Sequence, residues 1–267
     1  MYKRQVVVDG ETATTEEIAN AIRDLKVDVL VDMCGHAGSS DVVEIIARRP
    51  ARIQVAGGLG TPAPMGGTGI YDYALADAVV APARLRAAAG WAPDEHRAVL
   101  VPHTYQVGDA EAYKRHELNN KESREPTSRK DHGLREDAVV LACMNRPHKV
   151  DCTSFDAWVR IVKELAHGDP SIDAQLWLYA PGSDSGNSLR TRALARAAKI
   201  LPGGEEEARD RLVFAGREDR PAHLERLRHA DLALDTRAYN SHTLAADYAW
   251  AGVPLCTALC DAEPRWV

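Results

Sequence analysis

Short runs of β-branched and other apolar residues alternate along this chain with stretches whose polar and apolar positions repeat as in helices. The first half predicts strands at residues 5–9, 27–33, 52–55, 73–80 and 98–101, and helices at 14–25, 41–49 and 81–89. The second half predicts strands at 138–142, 174–179, 211–214, 231–235 and 254–256, and helices at 154–166, 188–199, 222–229 and 243–251. Such alternation is typical of βαβ units, so we expect an α/β protein with parallel sheets and helices on both sheet faces.

Two local signals sharpen this expectation. Thr14 and Glu17 have the spacing of a capping box, which predicts a helix start. The run Val27–Met33 is almost continuously apolar, which predicts a strand that is buried on both faces.

A change of composition divides the chain into two α/β regions. Residues from Glu111 to Asp131 are rich in Lys, Arg, Glu, Asn and Ser, which is typical of a solvated linker or insertion. We therefore predict a first domain at 1–110, a polar linker at 111–133 and a second domain at 134–267. Two facing Rossmann-like domains would fit this arrangement.

Composition limits the classes of partner. The chain has 267 residues and a net charge of −6, so it lacks the broad basic field that nucleic-acid binding favours. No apolar run is long enough to span a bilayer, and no apolar signal core follows the first residues. The five cysteines show no disulfide framework, and Cys256 and Cys260 lack a second pair that would complete a zinc motif. We expect a reducing compartment, namely the cytoplasm, or the nucleus in a eukaryote.

The most informative loop runs from Asp235 to Thr243, between a predicted strand and a predicted helix. The first turn of a helix presents unpaired N–H groups and a positive dipole end, which suit a phosphate group. His242 and Thr243 add donors there, and Asp247 lies one turn further on the same helix face. An acidic side chain next to a phosphate site suits ribose hydroxyls. An ordinary capped βα loop would show the same spacing, and the residues alone leave both interpretations open.

Weaker candidates surround this loop. His223 and Arg226 share a helix face and suit a phosphate or a base, but the signal is weak because the segment 224–228 resembles an ordinary solvated helix face. Lys149 follows a predicted strand, where it could neutralise a leaving diphosphate or simply be a surface lysine. His36 and His103 also follow strands, but a single loop histidine is often structural. No P-loop, zinc motif, Ser-His-Asp set or Asp-x-Asp metal motif occurs.

Several blocks, taken in order, resemble the catalytic region of the protein O-GlcNAc transferase family, glycosyltransferase family 41. They cover nearly the whole chain and comprise residues 29–36, 49–55, 71–73, 101–109, 133–140, 145–149, 223–226, 230–236, 240–243 and 250–254. Each block is weak by itself, but the ordered set is fairly specific. The chain then resembles two GT-B lobes, at 1–110 and 134–267, truncated at both ends.

The resemblance implies UDP-N-acetylglucosamine as donor, a Ser or Thr hydroxyl of a protein as acceptor, and no metal or other cofactor. Lys149 would hold the diphosphate and assist the leaving group as the catalytic residue. His242 and Thr243 would bind phosphates, and Asp247 the ribose. His223 and Arg226 would contact the uridine side, with Arg220 at a position where the family usually has lysine. His36 and His103 would lie on the acceptor or sugar side.

The chain also departs from the family pattern. Arg146 and Leu244 stand where a glutamine and a second threonine are usual, and the segment with the family's proposed base histidine and the helical (TPR) repeats are not found. Two alternatives therefore stay open. One is a GDP-fucose-dependent protein O-fucosyltransferase of the SPINDLY type, which Gly35-His36-Ala37 favours. The other is a nucleotide-sugar-binding module without catalysis.

Overall fold

The computed structural model describes residues 13–34, 41–57, 69–79, 97–104, 110–115 and 125–258. These residues form two compact units, one that extends through Thr104 and one that begins with the helical residues 110–115. Each unit has its own parallel sheet, so the α/β class predicted from the alternation is confirmed. The predicted strand at 5–9 and helix at 81–89 lie outside the described residues.

The first sheet contains four described strands in the order β1-β2-β3-β4, all parallel. They are β1 (Val29–Asp32), β2 (Ile53–Ala56), β3 (Tyr73–Ala76) and β4 (Arg97–Leu100). The helices Thr15–Asp24 and Asp41–Ala47 accompany them. The capping box is confirmed, because Thr14 accepts from the Glu17 N–H while Glu17 accepts from the Thr14 N–H.

The prediction that the first of these strands is buried on both faces is wrong. Val29 is 49% exposed and Val31 is 43% exposed. The physical reason is position, since β1 is an edge strand of the described sheet and pairs with β2 alone among the described strands. An apolar run is therefore a guide to a strand here, but not to its place in the sheet.

The second sheet contains five parallel strands in the order β7-β6-β5-β8-β9. They are β5 (Ala138–Cys143), β6 (Asp173–Tyr179), β7 (Leu212–Ala215), β8 (Leu232–Leu234) and β9 (Leu255–Cys256). The helices of this unit are Cys152–Gly168, Asp184–Ala197, Gly204–Arg211, Arg220–Arg226 and Thr243–Ala251. From β5 the chain builds outward through β6 to β7, then returns to place β8 on the other side of β5. That reversal is a topological switch point, where open α/β sheets bind ligands at the carboxyl ends of the strands.

The core of this unit lies on both faces of its sheet, as the alternating pattern predicts. Leu176 and Leu178 of β6 pack on one face with residues of the helices Cys152–Gly168 and Asp184–Ala197. Trp177 points to the other face and packs in a cluster with Tyr248 of the helix Thr243–Ala251. All four side chains are fully buried. This two-sided burial fixes the strand register and hence the position of every loop at the strand ends.

The sequence prediction missed the helix Gly204–Arg211. Within it only Ala208 is buried, and its polar residues dominate, so the apolar periodicity that signals a helix is weak there. Its charges do match the helix dipole, since Glu205, Glu206 and Glu207 lie in the first turn and Arg209 and Arg211 in the last. Among the described helices, none is both long and apolar enough to cross a membrane.

We expect Gly186→Ala to destabilise the second unit. In an exposed helix a Gly→Ala change raises the free energy of unfolding by about 1 kcal/mol. A Cβ at Gly186, however, would fall on the carbonyl oxygen of Pro181, well inside van der Waals contact. The clash should lower the free energy of unfolding by about 1–3 kcal/mol, as overpacking does. Urea denaturation would measure it. The control is Gly168→Ala at the end of another helix, where a Cβ meets nothing within 4 Å; equal effects of the two changes would contradict the argument.

Candidate functional site

The candidate site lies at the switch point, where the loops after β5 and β8 meet. Asn145, after β5, donates from Nδ2 to the hydroxyl of Ser241, after β8, at 2.8 Å. Both residues are buried, at 4% and 9% exposure. The backbone N–H of Met144 also donates to the hydroxyl of Tyr248 at 3.0 Å. These bonds hold the two strand-end loops and the helix Thr243–Ala251 in one arrangement.

The buried carboxylate of Asp235 shapes the loop that leaves β8. It accepts hydrogen bonds from the Ser241 N–H at 2.7 Å, from Asn240 Nδ2 at 3.0 Å and from Thr257 Oγ1 at 2.8 Å. Burial alone would raise the pKa of Asp235, yet these hydrogen bonds outweigh it and the pKa is lowered. Asp235 is thus an ionised group that orients its own loop.

The helix Thr243–Ala251 begins at this loop. His242 is its N-cap, and the His242 side chain makes no capping hydrogen bond to the first turn. His242 is half-buried and Thr243 is exposed. The positive end of the helix dipole, with the N–H groups of its first turn, therefore lies beside an accessible hydroxyl and an imidazole. This is the geometry that binds anions at helix starts.

Lys149 and His242 meet at the ring of Tyr239. The Lys149 ammonium lies 4.2 Å from the ring centroid and donates to the Asn240 carbonyl at 3.3 Å. The His242 ring lies 5.4 Å from the Tyr239 ring, centroid to centroid. Burial lowers the pKa of Lys149 and that of His242, and the charge of Lys149 lowers the latter further. The structure therefore brings Lys149, His242 and the helix start together.

A second group of predicted residues is centred on Asp247, which lies on the helix that begins after His242. Arg220 makes two hydrogen bonds to the Asp247 carboxylate, each 2.6 Å long, and the Tyr113 hydroxyl donates to the same group at 2.6 Å. The Asp247 side chain is 3% exposed and that of Arg220 is 35% exposed. Tyr113 also stacks on Trp250 with ring centroids 5.1 Å apart, and the Arg220 guanidinium lies over the Tyr113 ring at 5.3 Å. Burial and the Asp247 carboxylate raise the pKa of Tyr113 to about 12.

His223 and Arg226 contact each other directly. The guanidinium of Arg226 is buried and donates to the Gly216 carbonyl at 2.8 Å and to Nδ1 of His223 at 3.1 Å. Arginine has no acceptor, so Nδ1 must be the unprotonated nitrogen and Nε2 carries the hydrogen. Burial, and then the charge of Arg226, lower the pKa of His223 to about 4. At neutral pH His223 is thus a neutral imidazole that can donate from Nε2.

The second unit contains all seven residues predicted to bind the nucleotide sugar: Lys149, Arg220, His223, Arg226, His242, Thr243 and Asp247. His103 belongs to the first unit, where it is exposed after β4 with a positive φ of 71°. His36 lies outside the described residues. Sequence reasoning missed Tyr113 and Tyr239. The signal for Tyr113 was its position as an aromatic residue in the polar segment 111–133. The signal for Tyr239 was its position as an aromatic residue in the loop before the helix Thr243–Ala251.

The two units, each with a parallel sheet, are the α/β units of GT-B glycosyltransferases. The model of glycosyl transferase family 41 matches residues 5–125 and 119–263 of the chain. The chain therefore belongs to glycosyltransferase family 41.

Individual relatives agree with this assignment. The chain is 30% identical over 250 residues to the probable UDP-N-acetylglucosamine–peptide N-acetylglucosaminyltransferase SEC of Arabidopsis thaliana, covering 94% of this chain and 23% of that protein. It is 28% identical over 131 residues to the UDP-N-acetylglucosamine–peptide N-acetylglucosaminyltransferase of Caenorhabditis elegans, covering 49% and 10%. The fold is similar to that of a mutant O-GlcNAc transferase of Thermobaculum terrenum, with a TM-score of 0.63 and 23% identity over 92% of this chain and 41% of that one. The chain thus spans a quarter or less of the curated relatives.

We expect the Arg220–Asp247 pair to stabilise the second unit more than a comparable surface pair. Asp247→Asn removes the charge from a buried carboxylate that serves Arg220 and Tyr113, and should lower the free energy of unfolding by about 2–4 kcal/mol. Thermal or urea denaturation would measure it. The matched control is Asp156→Asn, which weakens a two-bond pair with Arg196, whose side chain is 44% exposed. That change should cost at most about 1 kcal/mol; a larger loss for Asp156→Asn would refute the comparison.

Proposed function

We propose that the second unit binds the diphosphate of UDP-N-acetylglucosamine at the start of the helix Thr243–Ala251. The observation that carries this proposal is the convergence of Lys149, His242 and the start of the helix Thr243–Ala251 at the switch point of the sheet. A diphosphate needs cations and N–H donors on one side, and these groups supply both. The names of the relatives, which are UDP-N-acetylglucosamine transferases, support UDP-N-acetylglucosamine as the donor.

Metal independence is part of the proposal. Sugar transfer from a nucleotide requires stabilisation of the charge that develops on the leaving diphosphate. Lys149 supplies a positive charge that stabilises the leaving diphosphate. The helix dipole and the hydrogen-bond donors of His242 and Thr243 stabilise it further. We therefore assign the leaving-group role to Lys149. No residue pair of the Asp-x-Asp kind, which would hold a divalent ion for this task, occurs in the sequence.

The remaining predicted residues form the nucleoside side of the proposed site. The neutral His223 and the buried Arg226 would contact the uridine, since Nε2 of His223 is a donor for a carbonyl oxygen of the base. Asp247 would accept a hydrogen bond from a ribose hydroxyl. Its carboxylate would then bind both that hydroxyl and Arg220. Arg220 would then orient Asp247 and face the phosphates.

In the proposed reaction a Ser or Thr hydroxyl of a protein attacks the anomeric carbon of N-acetylglucosamine. The bond from that carbon to the β-phosphate oxygen breaks, its electron pair leaves with UDP, and the hydroxyl proton passes to a base. Peptide acceptors are named for the Arabidopsis and Caenorhabditis relatives, which supports a protein acceptor. His36 and His103 stay candidates for contacts on the acceptor or sugar side. The reduced cysteines of the described residues, Cys34, Cys143, Cys152 and Cys256, are compatible with the proposed cytoplasmic location.

The phosphate role of the helix start can be tested by binding alone. We expect His242→Ala to weaken UDP binding at least tenfold, roughly 1.4 kcal/mol, because it removes a side chain at the helix start. Isothermal titration with UDP would measure the dissociation constant. His167→Ala is the control, since His167 pairs with Glu207 on another helix of the same unit. An unchanged dissociation constant for His242→Ala would remove the phosphate role. A parallel titration in which GDP bound more tightly than UDP would favour the GDP-fucose alternative.

Turnover needs a separate experiment. We expect UDP release from UDP-N-acetylglucosamine in the presence of a Ser/Thr peptide, with the rate reduced by about a hundredfold or more in Lys149→Gln, the scale of losing one preorganised charge. Lys199→Gln, at an exposed lysine of the same unit, should leave the rate unchanged. The assay should use the complete product of the gene. UDP binding without any release under those conditions would overturn catalysis and leave a nucleotide-sugar-binding module.

A further inference from the structure

A cluster of metal-ligating side chains lies away from the proposed donor site. His132, Glu225 and His229 each offer one ligand atom, and these atoms lie within 4.8 Å of one another. His132 belongs to a 3₁₀ turn before β5, Glu225 to the helix Arg220–Arg226, and His229 to the 3₁₀ turn that follows this helix. All three are half-buried, with the His229 and Glu225 side chains 15% and 19% exposed. They therefore converge from separate chain segments on one partly shielded point.

The hydroxyl of Thr127 lies between these three side chains and contacts each of them. Its Oγ1 lies 3.0 Å from Nε2 of His132 and 2.9 Å from Nε2 of His229, and it donates to Oε2 of Glu225. Oε1 of Glu225 lies 3.8 Å from Nε2 of His229. Ligands of tetrahedral Zn²⁺, at about 2.0–2.1 Å from the ion, are roughly 3.3 Å apart. Because the ligand atoms are at most 4.8 Å apart, a pair of them would have to close in by at most about 1.5 Å, a movement within the reach of rotamer adjustment.

We propose that His132, Glu225 and His229 form a Zn²⁺ site. Two imidazoles and one carboxylate are the protein ligands of His₂Glu zinc centres, which keep a fourth position for water. Binding needs the lone pair of each Nε2, so the proton of each imidazole moves to Nδ1 and no net charge is lost from the rings. Rotation of Thr127 about χ1 turns its hydroxyl away from the centre and opens the fourth position.

The position of this cluster separates it from the proposed sugar transfer. His132 precedes β5 and His229 precedes β8, so both lie at the amino ends of their strands. The candidate donor site lies at the carboxyl ends of the same two strands. The six residues of β5 span about 20 Å at roughly 3.3 Å per residue. An ion at the amino ends is therefore too distant to act on a diphosphate, and its role is structural.

The structural role follows from the segments that the ion would join. Glu225 lies on the helix that also carries His223 and Arg226, while His132 and Thr127 lie in the segment that leads into β5. The His132 ring also contacts the buried Trp177 ring of the sheet, with centroids 5.4 Å apart. An ion here ties the nucleotide-side helix to the core of the unit. Since metal binding to a folded site adds to folding stability, the unit should be more stable with zinc than without.

Zinc binding by the whole chain tests the proposal. After treatment with a chelator and its removal, titration with ZnCl₂ should show one ion bound per chain and a rise in melting temperature, and Co²⁺ should give the visible absorbance of a tetrahedral site. We expect Glu225→Gln and His229→Ala to weaken zinc binding by at least about tenfold. His167→Ala is the control, since among the described residues His167 contacts the carboxylate of Glu207 alone, and the variant should bind zinc as the unaltered chain does.

Thr127→Ala distinguishes a metal site from a hydrogen-bonded network. A network centred on the hydroxyl collapses when the hydroxyl is removed, whereas a metal site loses its competitor and should bind zinc equally well or more tightly. No stoichiometric zinc binding by the unaltered chain, or equal binding by His229→Ala, would overturn the proposal. Circular dichroism of each variant would show that it is folded. If His229→Ala does not fold, the conservative Glu225→Gln decides the question.

Discussion

The buried carboxylate of Asp235 orders the loop on which the candidate site depends. A charge at 8% exposure is stable only when donors surround it. Here the donors come from Ser241, Asn240 and Thr257, which pull the loop after β8 into a closed turn. That turn places the Ser241 hydroxyl for Asn145, and the Asn240 carbonyl for Lys149. The residues that could touch a phosphate are thus positioned by a residue that need not touch it.

Much of the fold could be predicted from the sequence because local patterns determine it. Apolar runs predicted every described strand, and Thr14 with Glu17 predicted a helix start that the structure has. The two errors have different causes, one in the tertiary position of a strand and the other in a weak local pattern. The exposure of Val29 and Val31 depends on β1 being at an edge of the described sheet, which no local pattern records. The missed helix Gly204–Arg211 buries so little that its sequence is almost uniformly polar.

The candidate site was predictable in its position but not in its contacts. Ligand sites of parallel sheets lie after strands, so Lys149 and His242 could be chosen from their place in the chain. Tyr113 could not, because it is 134 residues from Asp247 and lies in a segment whose composition is typical of a linker. The proposed zinc ligands His132 and Glu225 were equally difficult to predict. Their spacing along the chain matches no metal-binding sequence motif, and they come together only when the unit folds.

The ion pair of Arg220 and Asp247 restricts how this chain could bind a ribose. Arginine contacts a carboxylate through two parallel bonds, while a lysine at the same place would make one point contact. Oδ1 of Asp247 already accepts from Tyr113 and Arg220, whereas Oδ2 accepts a single bond from Arg220 in the described contacts. A carboxylate oxygen can accept about two hydrogen bonds, so Oδ2 has capacity for a ribose hydroxyl. Asp247 is only 2% exposed, however, and a hydroxyl can reach it only if Arg220 or Tyr113 moves aside. In this chain nucleotide binding through Asp247 would therefore be coupled to the segment that carries Tyr113.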